Sequence, residues 1–461
     1  MQTKSMHGIW SNRWTFILAA TGSAVGLGNI WKFPYIAGEN GGGAFVLVYL
    51  LCIALIGIPI MIGEVMLGKK GRANPMNAVG SIAVEANAPE GWKHIGLMGM
   101  LAGVFIMSFY SVVAGWSLHY FVTSALGNYA ATDAQTAGAA FSGLLASPAT
   151  LLSWHTVFSA MTFAVVAAGV SKGLGSVAKF MMPFLLISLV VLLFYGVVAG
   201  DFVASLAFLF GFNFASLSID AVLIALGHAF FTLSLGMGAI MAYGAYMPDK
   251  ACVGKTVLTI GSLDTMIALM AGLAIFPIVF ANPSIEAGSG PGLLFVSLPI
   301  AFGNMPLGGL FGTLFFALVS VAAWSSSVSL IEPSVAWLME NKHWKRVKAC
   351  AFITAIAWFL GLASVLSFNL LADFKPIWLL HFTPFEFLDF LTAQIMLPLG
   401  GVLIALFVAW VLPSSMVDRE LGTMSVTARN SLLFLLKYIS PLLVILVMGL
   451  KLYETFFASG A

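Results

Sequence analysis

Charge is the scarcest feature of this sequence, because only 8% of its 461 residues are Asp, Glu, Lys or Arg. Soluble domains carry about 25%, so a water-soluble chain of this length would lack polar surface. Cysteine is also scarce, and the spacing of Cys52, Cys252 and Cys350 indicates neither a disulfide framework nor a zinc site. Apolar residues make up 60% of the chain, and the mean hydropathy is +1.01. The composition predicts an integral membrane protein.

Apolar runs long enough to cross a bilayer recur along the whole chain. A transmembrane helix needs about 20 such residues, and the runs are continuous rather than alternating, which excludes a β-barrel. The first residues, MQTKSMHGIWSNRW, show no signal-peptide pattern, so the first run is expected to remain. Eleven spans are predicted, centred on residues 14–36, 43–68, 95–125, 151–170, 177–199, 218–246, 256–280, 308–338, 349–371, 387–411 and 431–456.

Basic residues concentrate in alternate loops. Residues 127–150 hold one charge, Asp133, and residues 282–307 hold only Glu286. Since lysine and arginine favour the cytoplasmic side, the N-terminus is expected inside and, with an odd span count, the C-terminus outside a plasma (inner) membrane. The basic residues in the loops assigned to the cytoplasm are Lys69, Lys70, Arg72, Lys93, Lys172, Lys250, Lys255, Lys342, Lys345, Arg346, Lys348, Arg419 and Arg429.

Glycines interrupt two spans at matching positions. Span one contains TGSAVGLGN, with Gly22, Gly26 and Gly28, and span six contains FFTLSLGMGA, with Gly236 and Gly238. The two lie five spans apart, so the second block of five spans enters the membrane with inverted orientation. Such a pair is typical of a transporter site, because a broken helix is tolerated at membrane depth only where it lines a cavity. The alternative for span one alone is a helix-packing motif.

The same residues resemble the opening signature of the neurotransmitter:sodium symporter family, with GSAVGLGNIWKFP followed by ENGGGAF. Further matches are IPIMIGE, GPGLLFVSLP and SSSVSLIEP. The resemblance implies an all-α membrane protein with the leucine-transporter fold and a single domain, 1–461. Its parts would be two inverted five-helix repeats, about 10–200 and about 217–411, with helices 1 and 6 broken, and an eleventh helix at about 430–457. Eleven spans resemble the bacterial amino-acid-transporting branch.

The function implied by the resemblance is sodium-coupled import of neutral, hydrophobic L-amino acids by alternating access, without enzymatic activity. Two sodium ions are expected. The first sodium site would use Ala24, Asn29, Thr232 and Asp264, and the second would use Gly22, Val25, Ala322, Ser325 and Ser326. The substrate would contact Ala24, Gly26, Leu27, Gly28, Ile106, Tyr110, Phe231, Thr232, Ser234, Met237, Ser326 and Leu330.

Departures from the family pattern refine this expectation. Monoamine carriers place an aspartate at the position of Gly26, so the substrate here is expected to bring its own carboxylate. Chloride-dependent members carry asparagine and serine where this chain has Asp264 and Ala268, which predicts chloride-independent transport. His228 replaces the usual glutamine and is expected to be neutral and to hydrogen-bond as the amide would. In the alternative, either His228 or Asp264 carries a counter-transported proton.

Two pairs of residues match the gates of the family. Lys32 and Asp389 match the outer gate, with lysine in place of arginine, which loses the bidentate fork. His7 and Glu340 match the inner gate, with Lys4 as the alternative cation. Glu64 is expected to hydrogen-bond the broken part of span six.

Three rival functions are a channel, a membrane enzyme and a sensor. A channel would need a continuous polar pathway or rings of filter residues, and an enzyme would need motifs such as H-E-x-x-H, neither of which the sequence contains. A sensor that binds an amino acid without moving it stays open. No feature indicates a nucleic-acid partner, and the sequence leaves the oligomeric state open.

Overall fold

The computed structural model of the protein describes residues 10, 12–127, 133–213, 217–282, 292–375 and 382–458. Within these ranges, nine helices are long and apolar enough to cross a membrane. They form spans two to five and seven to eleven: Gly43–Gly71, Glu90–Ala125, Pro148–Ala167, Lys172–Ala199, Val253–Phe280, Gly308–Lys342, Arg346–Leu366, Pro384–Val411 and Val426–Phe456.

The two remaining spans are interrupted, as the glycine pattern predicts. Span one consists of Arg13–Ala24, a π-helical turn at Gly28–Lys32, and Phe33–Glu39. Span six consists of Ile219–Thr232 and Ala239–Ala245. The predicted all-helical fold of eleven crossings, broken in the first and sixth, is therefore confirmed.

Short helices occupy several segments between the predicted spans. They are Pro75–Glu85, Ala134–Leu145, Phe202–Phe210 and Ser414–Leu421. Asn74, Asp133 and Asp201 precede the first three, and the side chain of each accepts a hydrogen bond from a backbone N–H of the first turn. This capping satisfies donors that a helix start would otherwise leave unpaired.

The apolar segment at 282–307 contains a helix, Leu293–Gly303. Its Phe295 ring stacks on Phe141 at a centroid distance of 5.4 Å and meets Trp116 edge-on at 5.6 Å. Phe141 lies on the short helix Ala134–Leu145, whereas Trp116 lies on span three. These aromatic contacts hold the helix Leu293–Gly303 against span three and the helix Ala134–Leu145. Residues 283–291 lie outside the described part.

Span three approaches the break in span six closely because its contact face carries glycine. A methyl group at Gly99 would lie 2.9 Å from the nitrogen of Gly238 and 3.0 Å from the carbonyl oxygen of Gly236. Gly103 lies in the same way against the backbone of Leu330 in span eight. Small residues let membrane helices pack at short distance, so spans three, six and eight meet around one point.

Candidate substrate and sodium sites

The break in span one places backbone groups at the centre of the bundle. The helix ends at Ala24, Val25 is extended with ψ of 104°, and helical structure resumes at Gly28. The N–H of Gly26 donates to Asn29 Oδ1 at 3.2 Å. A side chain at Gly26 would collide with the hydroxyl of Ser326, so the position requires glycine if spans one and eight are to touch.

The break in span six is held by left-handed backbone and by a buried acid. Ser234, Gly236 and Gly238 have φ of 55°, 76° and 71°, a region that glycine enters without steric cost but serine does not. The N–H of Gly236 donates to Glu64 Oε1 at 2.6 Å, and Glu64 is fully buried. Glu64 therefore makes the structural contact that the sequence predicted.

Between the two breaks lies a small cavity. Its walls come from spans one, three, six and eight. Every residue predicted to contact substrate lines it except Thr232, and Ser23 lines it in addition. The lining residues are Ser23, Ala24, Gly26, Leu27, Gly28, Ile106, Tyr110, Phe231, Ser234, Met237, Ser326 and Leu330.

Thr232 lies next to the cavity and points elsewhere, towards Asp264. Its hydroxyl donates to the Asp264 carboxylate at 3.1 Å, and the amide of Asn29 donates to the same carboxylate at 2.8 Å. Asp264 is fully buried in span seven. Three of the four residues predicted for the first sodium site are thus in direct contact, and Ala24, the fourth, lines the adjacent cavity.

The five residues predicted for the second sodium site converge between spans one and eight. The hydroxyl of Ser326 lies 3.2 Å from the carbonyl oxygen of Val25 and 3.4 Å from that of Gly22. The hydroxyl of Ser325 lies 2.9 Å from the Ala322 carbonyl and 3.5 Å from that of Val25. A hard cation such as sodium prefers oxygen ligands of this kind, so the donor set fits the ion.

A second cavity, the vestibule, lies beyond Leu27, Tyr110 and Phe231, which line both cavities. It is larger than the first cavity and is also lined by Lys32 and Asp389. The ammonium of Lys32 lies 5.0 Å from the centre of the Phe231 ring, within the range of a cation–π contact. In the described part of the chain the two gate charges share the vestibule without a direct ion pair.

The opposite end of the bundle is closed by Trp10. Its backbone N–H donates to the carbonyl of Tyr246 at 2.9 Å, and its indole N–H donates to that of Tyr243 at 3.2 Å. Glu340 accepts two hydrogen bonds from the Asn74 backbone N–H, at 2.9 and 3.1 Å, at the start of Pro75–Glu85. His7 and Lys4, the predicted partners of Glu340, lie outside the described residues.

A buried ion pair that was not predicted from the sequence lies on the same side. Glu332 of span eight is fully buried and pairs with Arg346, whose Nη1 lies 3.1 Å from Oε1. Tyr246 donates to the same carboxylate at 3.0 Å, and Arg346 Nε donates to the Val166 carbonyl at 2.7 Å. An acid within the apolar run SSSVSLIEP was the available signal, since charges at membrane depth mark functional or paired sites.

The side chain of His228, a residue of span six, lies between spans one and two. Its ring stacks on Phe33 at 6.0 Å and lies 5.3 Å from Tyr49, and the side chain is 1% exposed. Neither ring nitrogen has a hydrogen-bond partner among the described residues, and the Tyr49 hydroxyl has none there either. The expectation that His228 hydrogen-bonds as an amide would is therefore not met in this conformation.

Comparison with known proteins identifies the family. A family model described as "Sodium:neurotransmitter symporter family" matches residues 7–137 and 145–457. The chain belongs to this family. The sodium-dependent transporter YhdH of Bacillus subtilis is 34% identical over 442 residues, covering 95% of this chain and 96% of the relative. A sodium-dependent transporter of Haemophilus influenzae is 30% identical, with the same two coverages.

One solved structure extends the comparison to three dimensions. The crystal structure of MhsT in complex with L-phenylalanine matches with a TM-score of 0.88 and 39% identity, over 96% of this chain and 99% of MhsT. Membership of the family makes the chain a multi-pass, sodium-dependent symporter rather than an enzyme. Its substrate is a small molecule, and its surroundings are the lipid bilayer.

Proposed function

We propose that the protein imports neutral, hydrophobic L-amino acids together with two sodium ions by alternating access, independently of chloride. The observation that carries this proposal is the position of Asp264. Its buried carboxylate, bonded to Asn29 and Thr232, adjoins a largely apolar cavity that contains no acidic side chain. A site of this kind is complementary to two cations and one substrate carboxylate.

The lining of the cavity supports the substrate class. Ile106, Met237 and Leu330 offer apolar walls for a hydrophobic side chain, and Phe231 closes the face towards the vestibule. The backbone N–H of Leu27, which donates to the Tyr110 hydroxyl at 3.4 Å, lies at the start of the second half-helix, and such a helix start favours a carboxylate. MhsT, of similar structure, was crystallised with L-phenylalanine.

Sodium would couple the two breaks in this arrangement. In the first site an ion bound by Asn29, Thr232 and Asp264 would also touch the substrate carboxylate, so each ligand would raise the affinity for the other. In the second site an ion between Val25 and Ser326 would hold span one against span eight. Loss of that ion would release the first half of span one and open the side closed by Trp10.

Chloride independence follows from charge balance. Two sodium ions bound beside a zwitterionic amino acid leave net positive charge in a low-dielectric site and need negative charge nearby, because an uncompensated buried charge is very costly. Asp264 supplies that charge within the chain. Ala268, one turn later on span seven and fully buried, offers no hydroxyl for an anion.

The topology belongs to the same proposal. Two inverted repeats, about 10–200 and about 217–411, would rock around the central cavity, with the eleventh helix outside them. The N-terminus would be cytoplasmic and the C-terminus outside in the plasma (inner) membrane. In this orientation the vestibule faces outward and Trp10 seals the cytoplasmic side.

A competition screen tests the proposal. The purified protein in liposomes would take up a labelled amino acid, for example L-phenylalanine, under an inward sodium gradient, with each of the twenty amino acids as competitor. We expect hydrophobic neutral amino acids to compete, acidic and basic ones to fail, and gluconate to replace chloride without loss. Sodium-independent uptake, or competition by charged amino acids alone, would contradict the proposal.

A further inference from the structure

A chain of hydroxyl groups leads from the cavity into span eight. The hydroxyl of Ser23 donates to Ser329 Oγ at 2.7 Å, and the hydroxyl of Ser329 donates to the Ser326 carbonyl, also at 2.7 Å. Ser23 and Ser329 are each 1% exposed. Ser23 lines the cavity and Ser329 does not, so Ser329 lies behind Ser23 as seen from the cavity.

The direction of these hydrogen bonds determines whether the Ser23 hydroxyl can donate a hydrogen bond to a ligand or only accept one. A hydroxyl has one proton to donate and two lone pairs that accept. The proton of Ser329 is used on the Ser326 carbonyl, which leaves Ser329 to accept the proton of Ser23. The oxygen of Ser23 therefore keeps only lone pairs, and it can bind a hydrogen-bond donor but cannot donate.

The other serine hydroxyls of the cavity are committed to the backbone. Ser234 donates to the carbonyl of Ser23 at 3.0 Å, and Ser326 donates to that of Val25 at 3.2 Å. All three serines thus spend their protons on the protein. Ser23 differs because it donates to a side chain. A single substitution at Ser329 therefore changes the direction of the Ser23 hydroxyl proton without altering a residue that lines the cavity.

We propose that Ser23 is a further substrate-binding residue, whose oxygen accepts a hydrogen bond from an N–H or O–H group of the substrate, and that Ser329 is the residue that positions it. This inference rests on the proposed transport of amino acids. The donor can come from two sources, the ammonium group shared by all amino acids or a polar group on the side chain. Without Ser329, the Ser23 hydroxyl would rotate and direct its proton into the cavity. There it would repel a hydrogen-bond donor of the substrate.

The test measures binding of L-phenylalanine, L-tyrosine and L-tryptophan to wild type, Ser329→Ala and Ser23→Ala. We expect Ser329→Ala to weaken binding about tenfold, the equivalent of ~1.4 kcal/mol, without a change in the sodium affinity measured in the absence of substrate. Equal losses for all three ligands would assign the donor to the ammonium group. Losses confined to L-tyrosine and L-tryptophan would assign it to the side chain. The double variant should lose no more than Ser23→Ala alone.

Ser334→Ala is the matched control, since Ser334 is a buried serine of the same span that donates to the Met100 carbonyl at 3.3 Å. It should leave all three affinities unchanged. Unchanged affinities in Ser329→Ala would overturn the proposal. So would an equal loss in Ser334→Ala, or a matching loss of sodium affinity, which would place the effect in the second sodium site. A wild type that binds none of the three ligands would instead end the proposed function, and this inference with it.

Discussion

Replacing Asp264 by asparagine removes a buried negative charge while it keeps an oxygen ligand and nearly the same shape. The carboxylate is fully buried and accepts hydrogen bonds from Asn29 at 2.8 Å and Thr232 at 3.1 Å. Two unit charges about 4 Å apart at an effective dielectric constant of ~20 interact by about 4 kcal/mol. Since ~1.4 kcal/mol corresponds to a tenfold change, sodium affinity in chloride-free medium should fall by roughly two to three orders of magnitude.

Chloride should then supply the negative charge that the substitution removes, provided that the protein has a site where the anion can bind. The hydroxyl of Tyr49 is buried without a hydrogen-bond partner in the described ranges, and Ala268→Ser would add a second donor one turn from position 264. The variant Asp264→Asn with Ala268→Ser should therefore transport in chloride and fail in gluconate.

The assay is sodium-driven uptake by liposomes that contain either protein, in chloride and in gluconate, over a range of sodium concentrations. Wild type should behave identically in the two anions. Wild-type uptake that collapses in gluconate would refute the reasoning, and so would an Asp264→Asn variant with unchanged sodium affinity in gluconate.

Three further predictions use the same preparation. Replacing both Ser325 and Ser326 by alanine should abolish sodium-driven uptake while thermal unfolding stays cooperative; an unchanged sodium affinity would show that the second site is misplaced. Gly26→Ala should abolish substrate binding, because its methyl group would overlap the Ser326 hydroxyl; binding of normal affinity would contradict the cavity geometry. Arg346→Ala should destabilise the protein by about 3–5 kcal/mol, because it leaves Glu332 buried without its cation. Arg346→Met with Glu332→Gln should recover most of that loss in thermal unfolding, and equal losses would argue against the ion pair.

The crossings could be predicted from sequence because the bilayer forces each one into a continuous apolar run. The two breaks could be located because glycines interrupt the runs at matching places, and the structure confirms them at Val25 and at Ser234–Gly238. The helix at Pro75–Glu85 could not be found in this way. It is short and depends on a cap at Asn74, which hydropathy does not register.

Some residues of the site could likewise be predicted from the sequence, and others could not. The cavity residues were predicted from motifs that this chain shares with the family. Ser23 has no assigned role in those motifs, so it was not predicted. The Glu332–Arg346 pair was missed because the two charges belong to different spans, and only the folded chain brings them together. Thr232 was predicted for both the cavity and the first sodium site, and its side chain turns towards Asp264 rather than into the cavity.

Accumulation at equilibrium tests the central claim most directly. Liposomes that contain the protein would be given a fixed sodium gradient at zero membrane potential, and the final ratio of internal to external amino acid would be measured for gradients of increasing size. If two sodium ions accompany each amino acid, that ratio should rise with the square of the sodium ratio and fall to one when an ionophore collapses the gradient. A final ratio of one at every sodium gradient would contradict sodium-coupled transport.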